Sequence, residues 1–183
     1  MPHSSRIIIY GLPSCGKTTL LLNLVLHQKF DRIIIVHNDM NTKEYEQLDA
    51  EYFDEVPDPN DEELALDPEE KNLIIFEDLY YKALPKQQRK WLTDYFTTYS
   101  THRSISVYLT CQDLFLQVPT NIRRCCNVFI MFKSIDMVNL EIYAVSLIWI
   151  SNMLNTYSKS FYNQNMIMLL LILIGHHKNY ERI

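Results

Sequence analysis

A single loop constrains this chain more than any other part of it. The run GLPSCGKTT at residues 11–19 follows the β-branched segment RIIIY (Arg6–Tyr10) and opens the apolar segment KTTLLLNLVLH (Lys17–His27). Gly11, Gly16, Lys17 and Thr18 match G-x-x-x-x-G-K-[ST], a spacing that chance would place in roughly one chain in a hundred of this length. The context narrows it further, because the loop leaves a predicted strand and enters a predicted helix, as phosphate binding requires. Glycines permit the tight turn and let backbone N–H groups approach phosphate oxygens. The helix start faces the anion, Lys17 reaches the β- and γ-phosphates, and Thr18 offers a hydroxyl to Mg²⁺. The chain has three glycines, and two of them stand here. Gly11, Pro13, Ser14, Cys15, Gly16, Lys17, Thr18 and Thr19 are therefore expected to line a nucleotide's phosphates.

The rest of the chain alternates between strands and helices. Strands are predicted at 32–37 (RIIIVH), 72–76 (NLIIF), 105–110 (ISVYLT) and 127–132 (NVFIMF), with a last one at 166–174. Pro85 opens an amphipathic helix, KQQRKWLTDYFTTYS, and further helices are predicted at 134–149 and about 155–163. Continuous apolar strands alternating with helices imply an α/β domain with a mainly parallel sheet covered on both faces. The 183 residues suit one such domain and leave little room for another.

Two further features carry chemistry. LIIFEDL (residues 73–79) ends an apolar strand on Glu77 and Asp78. One carboxylate there can hold Mg²⁺ and the second can polarise an attacking water. Glu77 takes the metal position and Asp78 the base position in the simplest reading, although the two roles can be exchanged. YLTCQDL places Gln112 just beyond the next strand, where an amide can sense a γ-phosphate.

Charge is segregated along the chain. Residues 44–70 hold 13 of the 22 acids and no Lys or Arg. The remaining chain sets 9 acids against all 17 basic residues, a surplus of +8. The segment, with Pro57, Pro59 and Pro68, is expected to be an acidic surface insert on a basic body, and a basic body suits a polyanionic partner. Lys82, Lys86, Arg89 and Lys90 recur at helical spacing and could follow phosphates or simply face solvent. Trp91, Tyr95, Phe96 and Tyr99 are expected mainly in the core. The four cysteines lack metal-ligand spacing, so reduced thiols in an intracellular setting are expected. No run approaches the ~18 apolar residues of a membrane span. The opening residues run directly into a strand, so neither a secretory leader nor a membrane association is expected.

Taken together, GLPSCGKTT, LIIFEDL, THRSISVYLTCQDLF, NIRRCCNVFIMFKSID and NMIMLLLILI resemble the FtsK/HerA superfamily of P-loop ATPases. The resemblance is to the genome-packaging ATPases of eukaryotic DNA viruses, virophages and Polinton-like elements, and it spans nearly the whole chain. It implies a three-layer P-loop sandwich of the additional-strand, RecA/FtsK-like kind, with ATP and Mg²⁺ as cofactors. It also implies double-stranded DNA as substrate, a homo-oligomeric ring (hexamer or pentamer), and a capsid or portal partner. The setting would be host cytoplasm or nucleus, in a virus factory or with the virion. By the same resemblance Lys17, Asp78 and Gln112 are catalytic, Thr18 and Glu77 hold the metal, and Arg103 is an arginine finger acting on a neighbouring subunit. Arg123 and Arg124 are its alternatives. The Glu-Asp order, the dense acidic segment and the lack of an appended DNA-reading domain depart from that family. A P-loop nucleoside or nucleotide kinase, or a nucleotide-binding assembly protein without motor activity, is the competing reading. The absence of an N-K-x-D base-reading motif argues against a GTPase.

Overall fold

Runs such as RIIIY, RIIIV and NLIIFE carry β-branched or large apolar residues at successive positions, so a strand built from them must be covered on both faces. They form the middle of a parallel sheet. The computed structural model describes residues 4–38, 43–62, 64, 66–103 and 105–132, and the backbone of 169–173. These fall in the unit made of Met1–Lys133 and Met168–Ile183. The helices expected at 134–149 and 155–163 lie outside the described residues.

Seven strands are described: β1 (Arg6–Tyr10), β2 (Arg32–Val36), β3 (Glu51–Phe53), β4 (Asn72–Glu77), β5 (Ser106–Cys111), β6 (Val128–Phe132) and β7 (Leu169–Leu173). Their order is β3-β2-β4-β5-β1-β6-β7, and every neighbouring pair is parallel. The carboxyl ends of β1, β4 and β5 therefore share one edge, where ligands bind in sheets of this type. β5 is inserted between β1 and β4, so whatever follows β5 stands between whatever follows its two neighbours. The architecture is the expected α/β one with an additional strand.

Helix α1 (Lys17–His27) covers one face, on which Ile7, Ile9, Leu73, Ile75 and Tyr108 meet Leu21 and Val25. The opposite parity of β4 meets the second helical segment, where Phe76 lies 5.5 Å from Tyr95 and 6.3 Å from Phe96, ring centre to ring centre. That segment starts as α2 (Lys86–Asp94), widens into a π-helical stretch at Tyr95–Tyr99, and closes with α3 (Ser100–His102). Thr93, Thr97 and Thr101 each donate a hydroxyl hydrogen to the carbonyl four residues back, as does Ser100. Such back-bonding loosens helical geometry, and here it accompanies a widened turn that buries Tyr95 and Phe96 side by side. Two short helices, α4 (Leu114–Gln117) and α5 (Thr120–Cys125), join β5 to β6.

The acidic segment is more integral than a surface excursion. Glu51–Phe53 adds a strand to the sheet beside β2, and Tyr45 and Leu48 belong to the core on the α1 face. Val56, Leu64 and Leu66 are buried as well. The physical reason lies in the spacing: isolated apolar residues among carboxylates turn inward while the acids stay in water. Charge density hid this pattern.

Candidate functional site

The backbone of the loop after β1 forms a concavity of anion size. Ser14 (φ 60°) and Gly16 (φ 100°) are left-handed, the alternation that turns successive N–H groups into one concavity. Gly11 has no room for a side chain: a Cβ would lie 2.5 Å from Cys15 Sγ and 2.8 Å from Phe132 Cβ. Its N–H donates to the Cys111 carbonyl at 3.1 Å, which ties the loop to the end of β5. Gly16 precedes α1 as its N-cap without a side-chain cap, and the first turn holds no acid, so the leading N–H groups stay available to an anion. Lys17 is buried and folds back over the loop, donating to the carbonyls of Gly11 (2.9 Å) and Leu12 (3.2 Å). Among the described residues no carboxylate forms an ion pair with it. A buried ammonium bound only to carbonyls is poised for a negative ligand.

The acidic pair stands at the same edge. Thr18 donates its hydroxyl to Glu77 Oε1 at 2.9 Å, joining the first turn of α1 to the end of β4. Burial raises the Glu77 carboxyl above the ordinary glutamate range, an effect tempered by the neighbouring hydroxyls of Tyr45 and Thr18 and by His37. Asp78 takes a left-handed backbone (φ 47°), and its N–H donates to the Thr110 hydroxyl at 3.1 Å. Its Oδ2 accepts from Gln112 Nε2 at 3.0 Å, while Oδ1 is buried without a partner. Gln112 is itself fixed, because Gln117 Oε1 accepts from the backbone N–H of both Gln112 (2.6 Å) and Asp113 (2.8 Å). The insertion of β5 thus brings the glutamine against the second acid.

Sequence reading missed three contributors. Thr110 pins Asp78, Gln117 pins Gln112, and Tyr45 of the acidic segment stands beside Glu77. Tyr45 is fully buried; burial first, then the Glu77 charge, push its phenol far above the usual range. Its hydroxyl faces Glu77 and Thr18, yet meets no partner with hydrogen-bond geometry. Mg²⁺ prefers hard oxygen ligands and keeps several waters and phosphate oxygens. Thr18 Oγ1 and Glu77 fit that preference, and the Tyr45 hydroxyl stands beside them. Among the described residues no group of three or more His, Cys, Asp or Glu side chains is arranged to hold a metal without a ligand's oxygens.

The arginines stand elsewhere. Arg103 precedes β5 and so lies toward the amino edge of the sheet, roughly 20 Å from the loop at ~3.3 Å per strand residue. It stacks on Tyr99 with its guanidinium carbon 4.5 Å from the ring centre, and donates to the Pro59 carbonyl at 3.2 Å. There it lines a cavity of about 410 Å³ with Asp61, Glu62 and Asp67, remote from the phosphate loop. Arg123 lies over Phe115 and donates to the Leu114 and Val118 carbonyls, whereas Arg124 is exposed. Lys82, Lys86 and Lys90 are exposed, and Lys90 pairs with Asp94 at 2.8 Å. Tyr95 and Phe96 are core residues, as expected. All four cysteines are free thiols. No helix among the described residues is long and apolar enough to cross a membrane.

No family model matches the chain, and no curated protein matches it. Among solved structures it is similar to the genome packaging NTPase B204 from Sulfolobus turreted icosahedral virus 2, determined in complex with ATP-gammaS. The likeness has a TM-score of 0.54 at 14% identity, and it covers 91% of this chain and 90% of that one. At this identity it establishes the fold, an α/β one that the two chains share over nearly their whole length.

Proposed function

We propose that this protein is an ATP-hydrolysing double-stranded DNA translocase that packages a viral or viral-like genome, working as a homo-oligomeric ring. The observation that carries the reading is the gathering of an uncapped phosphate loop, Thr18–Glu77 and Asp78–Gln112 at one sheet edge. The resemblance of the sequence motifs and the likeness to a viral packaging NTPase support the choice of packaging over other uses of this fold.

In this reading Lys17 leaves the Gly11 and Leu12 carbonyls for the β- and γ-phosphates. The N–H groups of Gly16, Lys17 and Thr18 donate to oxygens of the same phosphates. Thr18 and Glu77 would hold Mg²⁺, which supplies charge neutralisation to the phosphates. Asp78 accepts the proton of a water whose oxygen forms the new bond to the γ-phosphorus, while the bond to the β–γ bridging oxygen breaks and ADP carries the electron pair away. Gln112 holds Asp78 by one oxygen and leaves the other free for that water. Arg103 serves the neighbouring subunit's site, and the basic surface of the body follows the DNA backbone.

The test is ATP hydrolysis by the purified protein in Mg²⁺ buffer, with and without long double-stranded DNA. Stimulation by DNA is expected, and it should weaken steeply with salt as phosphate contacts are screened. Phosphoryl transfer to a nucleoside acceptor with no response to DNA would replace the motor by a kinase.

A further inference from the structure

The acidic segment contributes one residue to the catalytic edge. Tyr45 ends a 3-10 turn (Lys43–Tyr45), and its main chain is held firmly: its carbonyl accepts from the Tyr52 hydroxyl at 3.0 Å and from the Leu48 N–H at 2.9 Å. The side chain runs inward among Leu21, Val25 and Ile35, which accounts for the ring. It does not account for the hydroxyl. A buried O–H outside hydrogen-bond geometry is costly, and phenylalanine would fill the same space without that cost. The hydroxyl faces Glu77 and Thr18, the two groups assigned above to the metal.

We infer that Tyr45 is a positioning residue for the Mg²⁺ site: its hydroxyl donates to the Glu77 carboxylate when metal and nucleotide are bound, orienting that carboxylate toward the ion. This rests on the assignment of Thr18 and Glu77 as metal-holding groups. A carboxylate beside a divalent cation has a lone pair directed elsewhere, and buried donors on that side fix its orientation. Thr18 already donates to one oxygen, Oε1. Tyr45 supplies a second donor from a different element, so the turn after β2 is linked to occupancy of the phosphate loop.

The experiment compares the wild type with Tyr45→Phe, following ATP-gammaS binding by calorimetry across a Mg²⁺ titration and in EDTA, together with thermal melting. The wild type should bind the analogue more tightly as Mg²⁺ rises. In Tyr45→Phe the half-saturating Mg²⁺ should increase about tenfold, the lower end of the effect of removing a group that orients a metal ligand. Without metal or nucleotide the variant should melt no lower than the wild type, since it loses only an unpartnered hydroxyl. Its stabilisation by Mg²⁺ with ATP-gammaS should be smaller. A Mg²⁺ midpoint unchanged from wild type overturns the inference, as does a fall in ligand-free melting temperature accompanied by no shift in that midpoint. Glu77→Gln separates the two levels of the reading. If it moves the midpoint and Tyr45→Phe does not, Tyr45 alone is misassigned. If neither the wild type nor Glu77→Gln responds to Mg²⁺, the metal site itself fails, and the role of Tyr45 fails with it.

Discussion

Lys17 is buried, and its ammonium donates to two backbone carbonyls. Neutral carbonyls do not offset a buried positive charge as an anion would. Lys17→Ala should therefore leave the fold intact, weaken nucleotide binding by more than tenfold and abolish hydrolysis; equilibrium binding and turnover assays check both. The two acids should separate by phenotype. Asp78→Asn is expected to keep Mg²⁺–ATP bound and to slow cleavage at least about a hundredfold, because asparagine tolerates the left-handed backbone at φ 47°. Glu77→Gln should instead weaken the response to Mg²⁺. If Glu77→Gln loses turnover at saturating Mg²⁺ while Asp78→Asn does not, the roles are exchanged. Much of this site was legible in the sequence because phosphate binding is a local property: one loop supplies the turn, the amides, the lysine and the hydroxyl. Thr110, Gln117 and Tyr45 were not legible. Their importance comes from β5 standing between β1 and β4 and from β2 standing beside β4, and strand adjacency is not written in spacing.

At the scale of elements, the acidic segment carries the main revision. Its carboxylates suggested an excursion, but Tyr45, Leu48, Val56, Leu64 and Leu66 use it to close the core. Arg32 ties it to β2 twice over, with its guanidinium on Glu51 at 2.6 and 2.9 Å and on the Leu64 carbonyl at 2.6 Å. Leu64→Ala should consequently cost about 2–5 kcal/mol, the range for emptying a buried leucine site, measurable by urea denaturation; a true surface loop would lose almost nothing. The Arg32–Glu51 pair is partly exposed, so Glu51→Gln should cost no more than about 0.5 kcal/mol at neutral pH. Its pH dependence has a defined sign. Arg32 holds the Glu51 carboxyl below its ordinary value of 4.5, so the contribution is complete above that value and disappears as pH falls through the lowered one. Melting curves of wild type and Glu51→Gln should therefore converge in acid.

On the scale of the whole molecule, the parallel sheet sets a geometric condition on any arginine finger. The phosphate loop and the acidic pair occupy the carboxyl edge, whereas Arg103 enters β5 from the amino edge and is occupied by Tyr99 and Pro59 of its own chain. Side-chain motion of a few ångströms cannot bring it to its own nucleotide. If Arg103 is the finger, it acts only across a subunit interface, after leaving its stack on Tyr99. Hydrolysis per subunit should then rise with protein concentration as rings form. Arg103→Ala should bind ATP normally and hydrolyse it slowly, with roughly the 10³–10⁵-fold loss of other arginine fingers as an upper bound. Mixing that variant with Asp78→Asn should recover activity, because some interfaces then join an intact acidic site to an intact finger, a pairing neither variant makes alone. Arg124 is exposed and needs no prior release, so Arg124→Ala, with Arg123→Ala beside it, enters the same assay. Recovery confined to a mixture containing one of these two would move the finger to α5 and preserve the ring. Activity independent of concentration, with no complementing pair, would leave a working phosphate site without a ring, and a motor that depends on its neighbour could not be built from it.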